Sequence, residues 1–182
     1  IVEDAESRLG RQPRIARNRE RVEACVRPPA GDFVVVGNAR FPDEAHQGRV
    51  RYDGSRNSIL GSPFRMGLNG RDESLRDLAC SCHAVWLETG GDAYTIAVDN
   101  GFPIECVAPG HGQINGADIT AEIDSLVEIV VELDKRLVLE CGCAPKRCHL
   151  DTVAVKCNTL IRAKRAARLK QAADARDAGG MA

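Results

Sequence analysis

Five residues with reactive or metal-binding side chains lie within one short stretch of the chain: Cys141, Cys143, Cys148, His149 and Asp151. The cysteines and the histidine follow a C-x-C-x4-C-H spacing, and thiolate and imidazole are ligands of tetrahedral zinc. Adjacent Cys148 and His149 would have difficulty binding the same ion, so three ligands plus water or a remote ligand is the favoured arrangement. The candidate zinc ligands are therefore Cys141, Cys143, Cys148 and His149, of which three are expected to bind the ion.

The same residues also permit thiol chemistry. Cys148 lies at the predicted start of a helix and beside Lys146 and Arg147, where positive potential favours the thiolate. In this interpretation Cys148, His149 and Asp151 are the candidate catalytic residues. A third interpretation treats the cysteines as small hydrophobic side chains, a role they often have. The residues alone leave all three open.

A strand and a helix are predicted to position this stretch. Leu137–Cys141 is a short apolar run typical of a buried strand, and an apolar-periodic segment begins at Leu150. Gly142, Ala144 and Pro145 interrupt the pattern between them. Ligands of open α/β sheets usually bind outside the carboxyl ends of the strands. We therefore expect the site in a strand–loop–helix connection.

The rest of the chain predicts an α/β fold, with a single domain containing a mainly parallel sheet flanked by helices. Continuous apolar residues indicate a central strand at Asp32–Asn38, and periodic apolar residues indicate helices. Asn100-Gly101 is typical of a tight turn between strands. The predicted elements are strands at 32–38, 49–52 and 137–141, helices at 72–88, 118–135 and from 150, and an inserted β-hairpin at 94–98 and 104–108.

Two extensions are predicted around an α/β domain at residues 32–160. Residues 1–31 are rich in arginine, and residues 161–182 continue the last helix as a basic tail. Residues 162–170 of that tail contain five cations and no acid, and they could contact nucleic acid or be a solvated helix end. Partner chains or nucleic acid are thus expected, if present, at residues 1–30 and 161–171. The five cations are Arg162, Lys164, Arg165, Arg168 and Lys170.

Two further patterns carry weaker predictions. Cys80 and His83 are neighbours on the predicted helix at 72–88 and could contribute a ligand to a metal. The loop at 110–116 is rich in glycine, but it misses G-x-G-x-x-G by one place and is rejected as a dinucleotide site.

Two segments resemble a known family. Residues 141–151 read CGCAPKRCHLD and resemble the C-terminal signature of the domain of unknown function 4326 family, which is roughly C-W-C-x-P-x-x-C-H-x-D. Residues 60–64, LGSPF, stand where that family has L-G-N-P-F, and Arg71-Asp72-Glu73 and Trp86-Leu87 follow in the family's order. The resemblance covers roughly residues 32–158. Two departures from the pattern are Ser62 in place of asparagine and Gly142 in place of an aromatic residue.

The resemblance implies a compact α/β domain, while the family has no agreed activity to transfer. It points to the loop at Gly61, Ser62 and Phe64 as a ligand-binding segment, with Arg56 as the equivalent of an arginine before that loop. Arg56 and Ser62 could bind an anion or a polar ligand. They could equally well be ordinary polar residues of a surface loop.

Composition excludes several classes of protein. The chain has 182 residues, 43% of them hydrophobic, and a net charge of −1, so its overall charge indicates neither a nucleic-acid nor a membrane partner. Aromatic residues are scarce, which argues against a base-stacking platform. No apolar run approaches the roughly 20 residues of a membrane span. We also find no signal peptide, and the first residue, Ile1, indicates a processed product or a fragment.

Eight cysteines could form a disulfide framework, but the chain is neither short nor dominated by loops. Cys82, Cys106 and Cys157 fall at predicted core positions. A reducing intracellular compartment is therefore expected, with the organelle undetermined.

Two functions follow from these patterns. The first is a ligand-binding or catalytic domain with a Cys/His site, which could bind zinc and act on an anionic or nucleotide-like ligand. The alternative is a non-enzymatic scaffold subunit of a larger protein or nucleic-acid assembly, docking through its basic helical ends. The sequence does not decide whether the chain is an enzyme.

Overall fold

A computed structural model describes residues 31–43, 46–54, 58–68, 71–108, 114, 116–144 and 146–179. The arginine-rich extension at 1–30, Arg56 and most of the glycine-rich loop at 110–116 lie outside the described residues.

The centre of the domain is a parallel sheet of three strands within the described ranges. The strands are β1 (Val34–Asn38), β2 (Val50–Asp53) and β3 (Leu137–Cys141), in the order β1-β3-β2. Every residue of β3 is buried, as its continuous apolar sequence predicts for a central strand. The register places Asn38 opposite Cys141 and Asp53 opposite Glu140. The predicted parallel α/β fold is confirmed.

Four α-helices accompany this sheet in the described part of the chain. They are α1 (Arg76–Thr89), α2 (Ala93–Asn100), α3 (Gly116–Glu132) and α4 (His149–Gly179), with short 3-10 turns at Glu73–Leu75 and Ile104–Cys106. Val36 and Leu139 of the sheet share one hydrophobic cluster with Trp86 of α1, Val127 of α3 and Val153 of α4. Burial of such side chains from water is the main stabilising contribution to the domain.

The predicted β-hairpin is wrong, because Tyr94–Val98 lies within helix α2 and Ile104–Cys106 is a 3-10 turn. Asp92 caps α2 by accepting hydrogen bonds from the backbone and hydroxyl of Thr95, at 2.8 and 2.9 Å. Gly101, with φ of 70°, ends the helix in the left-handed conformation that glycine adopts readily. The Asn-Gly pair therefore terminates a helix instead of turning a hairpin.

The second half of the predicted hairpin has another backbone partner. Ala108 donates to the Pro63 carbonyl at 2.7 Å, and Arg65 donates to the Cys106 carbonyl at 2.9 Å. These bonds surround an isolated antiparallel bridge between Phe64 and Val107. The Pro63–Arg65 loop is thereby held in a defined position.

Helix α4 runs without interruption past the predicted boundary at residue 160 and continues to Gly179. Its first half is largely buried, whereas residues 166–177 are exposed. Within the part of the chain described, none of the helices combines the length and apolarity needed to span a membrane.

Candidate metal centre

The site lies at the carboxyl edge of the sheet. Because the three strands are parallel, their last residues, Asn38, Asp53 and Cys141, meet at this edge. Gly54, directly after β2, donates a backbone hydrogen bond of 3.0 Å to the Glu140 carbonyl. The loop between Cys141 and α4 starts here and carries the remaining cysteines.

Cys141, Cys143 and Cys148 come together from three local structures. Cys141 ends β3, Cys143 lies in the following turn, and Cys148 immediately precedes α4. Their three sulfur atoms lie within 4.8 Å of one another. A tetrahedral zinc ion with bonds of roughly 2.3 Å would separate its sulfur ligands by about 3.8 Å, so a small contraction would complete the geometry. This cluster could hold a metal ion such as zinc.

The three thiols interact strongly without a metal. Hydrogen bonds from Cys141 and Cys148 lower the pKa of the Cys143 thiol below its usual range, and Arg76 acts in the same direction. Hydrogen bonding with Cys141 and Cys143 raises the pKa of Cys148. The arrangement thus favours ionisation of Cys143 over ionisation of Cys141 or Cys148. A bound dication would allow the other thiols to ionise as well.

His149 lies beside the thiols, and its ring orientation is defined. Nε2 is 3.1 Å from the Gly54 carbonyl oxygen, which can only accept, so Nε2 carries the proton. The unprotonated Nδ1 is then the atom that lies 3.6 Å from Cys148 Sγ. Burial lowers the pKa of His149, which favours this neutral form. The three-sulfur group is formed by the cysteines, with His149 as their neighbour.

Asp151 contacts the backbone at the start of α4. Its Oδ2 accepts a hydrogen bond of 2.8 Å from the amide of Cys148, the residue that precedes the helix. This contact is one half of a capping box. In that half, the side chain of the third helical residue accepts a hydrogen bond from the backbone amide of the N-cap residue. Asp151 is buried and positions Cys148, a role different from direct catalysis.

The two predicted loops line a common cleft of about 500 Å³. Ser62 and Phe64 form part of one wall, and the cysteine loop with His149 forms another. The Ser62 hydroxyl accepts a hydrogen bond of 3.2 Å from the Phe64 amide, and the Phe64 ring packs edge-on against Phe102. Gly61 lies in the turn before this loop, where its amide donates to the Ser58 carbonyl at 2.9 Å.

The predicted pair Cys80 and His83 separates into two roles. Cys80 lines the cleft, but burial raises the pKa of its thiol to about 12, and it is outside the three-sulfur group. His83 is fully buried, with Nε2 3.2 Å from the Leu60 carbonyl and its ring edge-on to that of His149. Both residues support the site from α1.

Arg76, which the sequence patterns did not single out, connects α1 to the cysteine loop. Its guanidinium makes two 2.8 Å hydrogen bonds to the Glu73 carboxylate and a third, also 2.8 Å, to the Arg147 carbonyl. Hydrogen bonds to Glu73 and then to Cys143 raise the pKa of Arg76. The sequence contained a signal for the Arg76–Glu73 contact. Arg76 follows Glu73 by three residues, and side chains at that spacing are neighbours on a helix surface.

Asn38 is a second positioning residue that the patterns missed. Its side-chain Nδ2 donates to the carbonyl of Ala144, in the cysteine loop. Its Oδ1 accepts from the amides of Arg40 and Phe41, at 2.8 and 3.2 Å. One side chain therefore fixes the cysteine loop relative to the end of β1.

A comparison with protein families matches residues 40–159 to the domain of unknown function family DUF4326. The matched segment is well over half of the 182 residues and includes the three cysteines, His149 and the Ser62–Phe64 loop. The chain belongs to this family. Neither the curated proteins nor the solved structures yielded a match. The DUF4326 domain thus contains both walls of the cleft.

Proposed function

We propose that this DUF4326 protein is a zinc-binding domain that binds or chemically converts an anionic, nucleotide-like ligand in its cleft. The observation that carries the proposal is the grouping of three sulfur atoms within 4.8 Å on the wall of a cleft that is also lined by arginines. Three sulfur atoms this close together offer a set of soft ligands that suits a dication such as zinc.

The number of ligands favours a centre that is open to a ligand. Structural zinc sites usually have four protein ligands, whereas catalytic sites have three and keep one position free. Bound in this way, zinc would act as a Lewis acid toward a polar group of the ligand. Cys141, Cys143 and Cys148 would hold the ion, and Arg76 and Asp151 would position Cys143 and Cys148.

A metal-free thiol mechanism is a second candidate. Cys148 Sγ lies 3.6 Å from the unprotonated Nδ1 of His149, which could accept the thiol proton. The Gly54 carbonyl orients the other ring nitrogen, as the third group does in a nucleophile–base–orienter arrangement. This candidate requires Cys148 to react with an electrophile in the absence of metal.

The non-enzymatic alternative is supported by the exposed end of α4. Residues 166–177 extend from the domain as an exposed helix, and the Leu169 side chain is 74% exposed. Docking of another protein on this helix would make the domain a scaffold subunit. Nucleic-acid docking is less well supported, because four of the five cations form surface ion pairs with acids of the same chain. These pairs are Arg162–Asp32, Lys164–Glu128, Arg165–Asp134 and Arg168–Glu132.

The deciding experiment is elemental analysis of the untagged protein after dialysis, combined with cysteine variants. We expect about one zinc per chain, and a loss of most of it in Cys143→Ser, because that variant removes one of three ligands. Cys157→Ala is the matched control, since Cys157 is a buried free cysteine of α4 outside the cluster.

Zinc-free wild type would contradict the metal proposal. Rapid alkylation of Cys148 that is unaffected by added zinc or chelator would then favour the thiol mechanism.

A further inference from the structure

The cleft contains a concentration of positive charge that the metal proposal does not use. Arg40, Arg65, Arg76 and Arg147 line it, and the described lining residues include no aspartate or glutamate. The whole chain has a net charge of only −1, so this is a local arrangement. Four guanidinium groups around one concave surface raise the local concentration of anions.

Two of the four arginines have structural partners. Arg76 is held by the Glu73 carboxylate through two hydrogen bonds, and Arg147 pairs with Asp77 at 2.8 Å. The Arg147–Asp77 pair joins the cysteine loop to α1, and Arg76 reaches the same loop through its hydrogen bond to the Arg147 carbonyl. Arg76 and Arg147 therefore shape the cleft and are partly neutralised by neighbouring acids.

Arg65 differs from these two. Its backbone is fixed, because its amide donates to Cys106 at 2.9 Å and its carbonyl accepts from Gly67 at 2.9 Å. Its side-chain Nε is buried and makes no hydrogen bond among the described residues. A buried guanidinium N–H without an acceptor is unfavourable, so an acceptor supplied by a ligand would be favourable.

Arg40 approaches the cleft from the opposite loop. Asn38 holds the Arg40 amide at 2.8 Å and so fixes the start of its side chain at the end of β1. The Arg40 residue is exposed, and the described part of the chain shows no carboxylate paired with it. Arg40 and Arg65 are thus two cations of the cleft without an acidic partner among the described residues.

We propose that Arg65 and Arg40 bind the phosphate group of a small phosphate ester of about nucleoside monophosphate size. Two guanidinium groups match a phosphate dianion, with planar N–H donors that pair with its oxygens. A cleft of about 500 Å³ is within the usual range for small-molecule ligands. This inference deepens the proposed function and rests on the cleft as its ligand site, but it does not require zinc.

The test is isothermal titration calorimetry on the full chain with four ribonucleoside monophosphates, the corresponding nucleosides, inorganic phosphate and acetate. We expect at least one monophosphate to bind, and to bind at least about tenfold more tightly than its nucleoside, because charge-assisted hydrogen bonds contribute substantially. Acetate should bind more weakly than inorganic phosphate, because it offers one negative charge.

Arg65→Gln should weaken binding of the monophosphate by about tenfold or more while leaving zinc content unchanged. Arg162→Gln is the matched control, since Arg162 pairs with Asp32 outside the cleft. Arg65→Lys, which keeps the charge, should retain intermediate affinity and serves as the test if Arg65→Gln does not fold.

The inference is overturned if no monophosphate binds, if nucleoside and monophosphate bind equally, or if Arg65→Gln and Arg65→Lys both bind like wild type. Acetate binding as tight as phosphate binding would also overturn the phosphate assignment. Zinc content, measured on the same samples, reports separately on the metal proposal, so the two failures can be distinguished.

Discussion

The imidazole of His149 donates a hydrogen bond from Nε2 to the carbonyl oxygen of Gly54, 3.1 Å away, across 95 residues of sequence. This contact joins the end of β2 to the start of α4. It also directs Nδ1 toward Cys148. The Gly54 carbonyl therefore determines which ring nitrogen of His149 carries the proton.

Gly54 is expected to tolerate no larger side chain. A Cβ atom at this position would lie 2.7 Å from Leu150 Cδ2, and Leu150 is fully buried at the start of α4. Gly54→Ala should therefore reduce the free energy of unfolding by about 1–3 kcal/mol through overpacking, as measured by urea denaturation. Gly142→Ala is the control, because a Cβ there would meet no atom within 4 Å. Equal stability of the two variants would contradict the packing argument.

Removal of the metal should lower the stability of the wild type. Zinc that binds only the folded chain contributes its binding free energy to folding. We expect a chelator to lower the melting temperature of the wild-type protein and of Cys157→Ala, and to have little effect on Cys143→Ser. Differential scanning calorimetry with and without chelator measures this. A chelator effect of the same size in all three proteins would show that the chelator acts at a place other than the cysteine cluster.

Asp151→Ala should destabilise the start of α4. The substitution leaves the buried Cys148 amide without its 2.8 Å acceptor, and loss of such a partner costs about 1–3 kcal/mol. If zinc is bound, its affinity should fall as well, because Cys148 loses its positioning contact. Asp174→Ala, on the exposed part of the same helix, should change the free energy of unfolding by less than about 0.5 kcal/mol. A neutral Asp151→Ala would argue against the capping role.

Glu73 should make stability depend on pH in the acidic range. Hydrogen bonds from Arg76 and then Lys146 lower the pKa of Glu73 from 4.5 to about 2. Because the folded-state pKa is depressed, this stabilisation is present above the ordinary pKa and is lost as pH falls toward 2. Metal-free wild type should be more stable than metal-free Glu73→Gln at pH 6, with the difference shrinking between about pH 4.5 and 2. Glu73 is exposed, so added salt should reduce the difference. A stability difference between the two proteins that does not change with pH would show that ionisation of Glu73 is not its cause.

The basic segment of α4 should be part of the folded domain, contrary to its predicted separation at residue 161. The Arg165 guanidinium lies 4.4 Å from the centre of the Phe33 ring, and its Nη2 pairs with Asp134 at 2.7 Å. Truncation after Ile161 should therefore reduce the free energy of unfolding by about 1 kcal/mol or more. Truncation after Lys170 keeps these contacts and should have little effect. Equal stability of both truncated proteins would support the predicted domain boundary at residue 160.

Local patterns in the sequence were sufficient for the strands β1 and β3, for α1, α3 and α4, and for the cysteine cluster. A central parallel strand buries both faces, so its apolar residues are continuous and visible in a few letters. The three cysteines are also local, because Cys141, Cys143 and Cys148 belong to one strand–loop–helix connection. Their proximity could therefore be predicted without knowledge of the rest of the fold.

Helix α2 shows why local patterns failed elsewhere. Thr95, Ile96 and Val98 have branched side chains typical of strands, and Asn100-Gly101 is typical of a turn. The fold instead buries Ala93, Ile96 and Ala97 on one helical face. Packing in the core outweighed intrinsic preference, because propensity differences are small compared with the burial of apolar side chains.

The composition of the cleft was decided by the tertiary structure alone. Arg40 follows β1, Arg65 lies in the loop bridged to Val107, and Arg147 belongs to the cysteine loop, so distant segments bring these charges together. Asn38 contacts Ala144 across 106 residues for the same reason. Parallel strands bring their carboxyl ends to one edge whatever their separation in sequence. The sequence by itself determined which residues could bind a metal, and the sheet decided which cations and hydrogen-bond partners surround them.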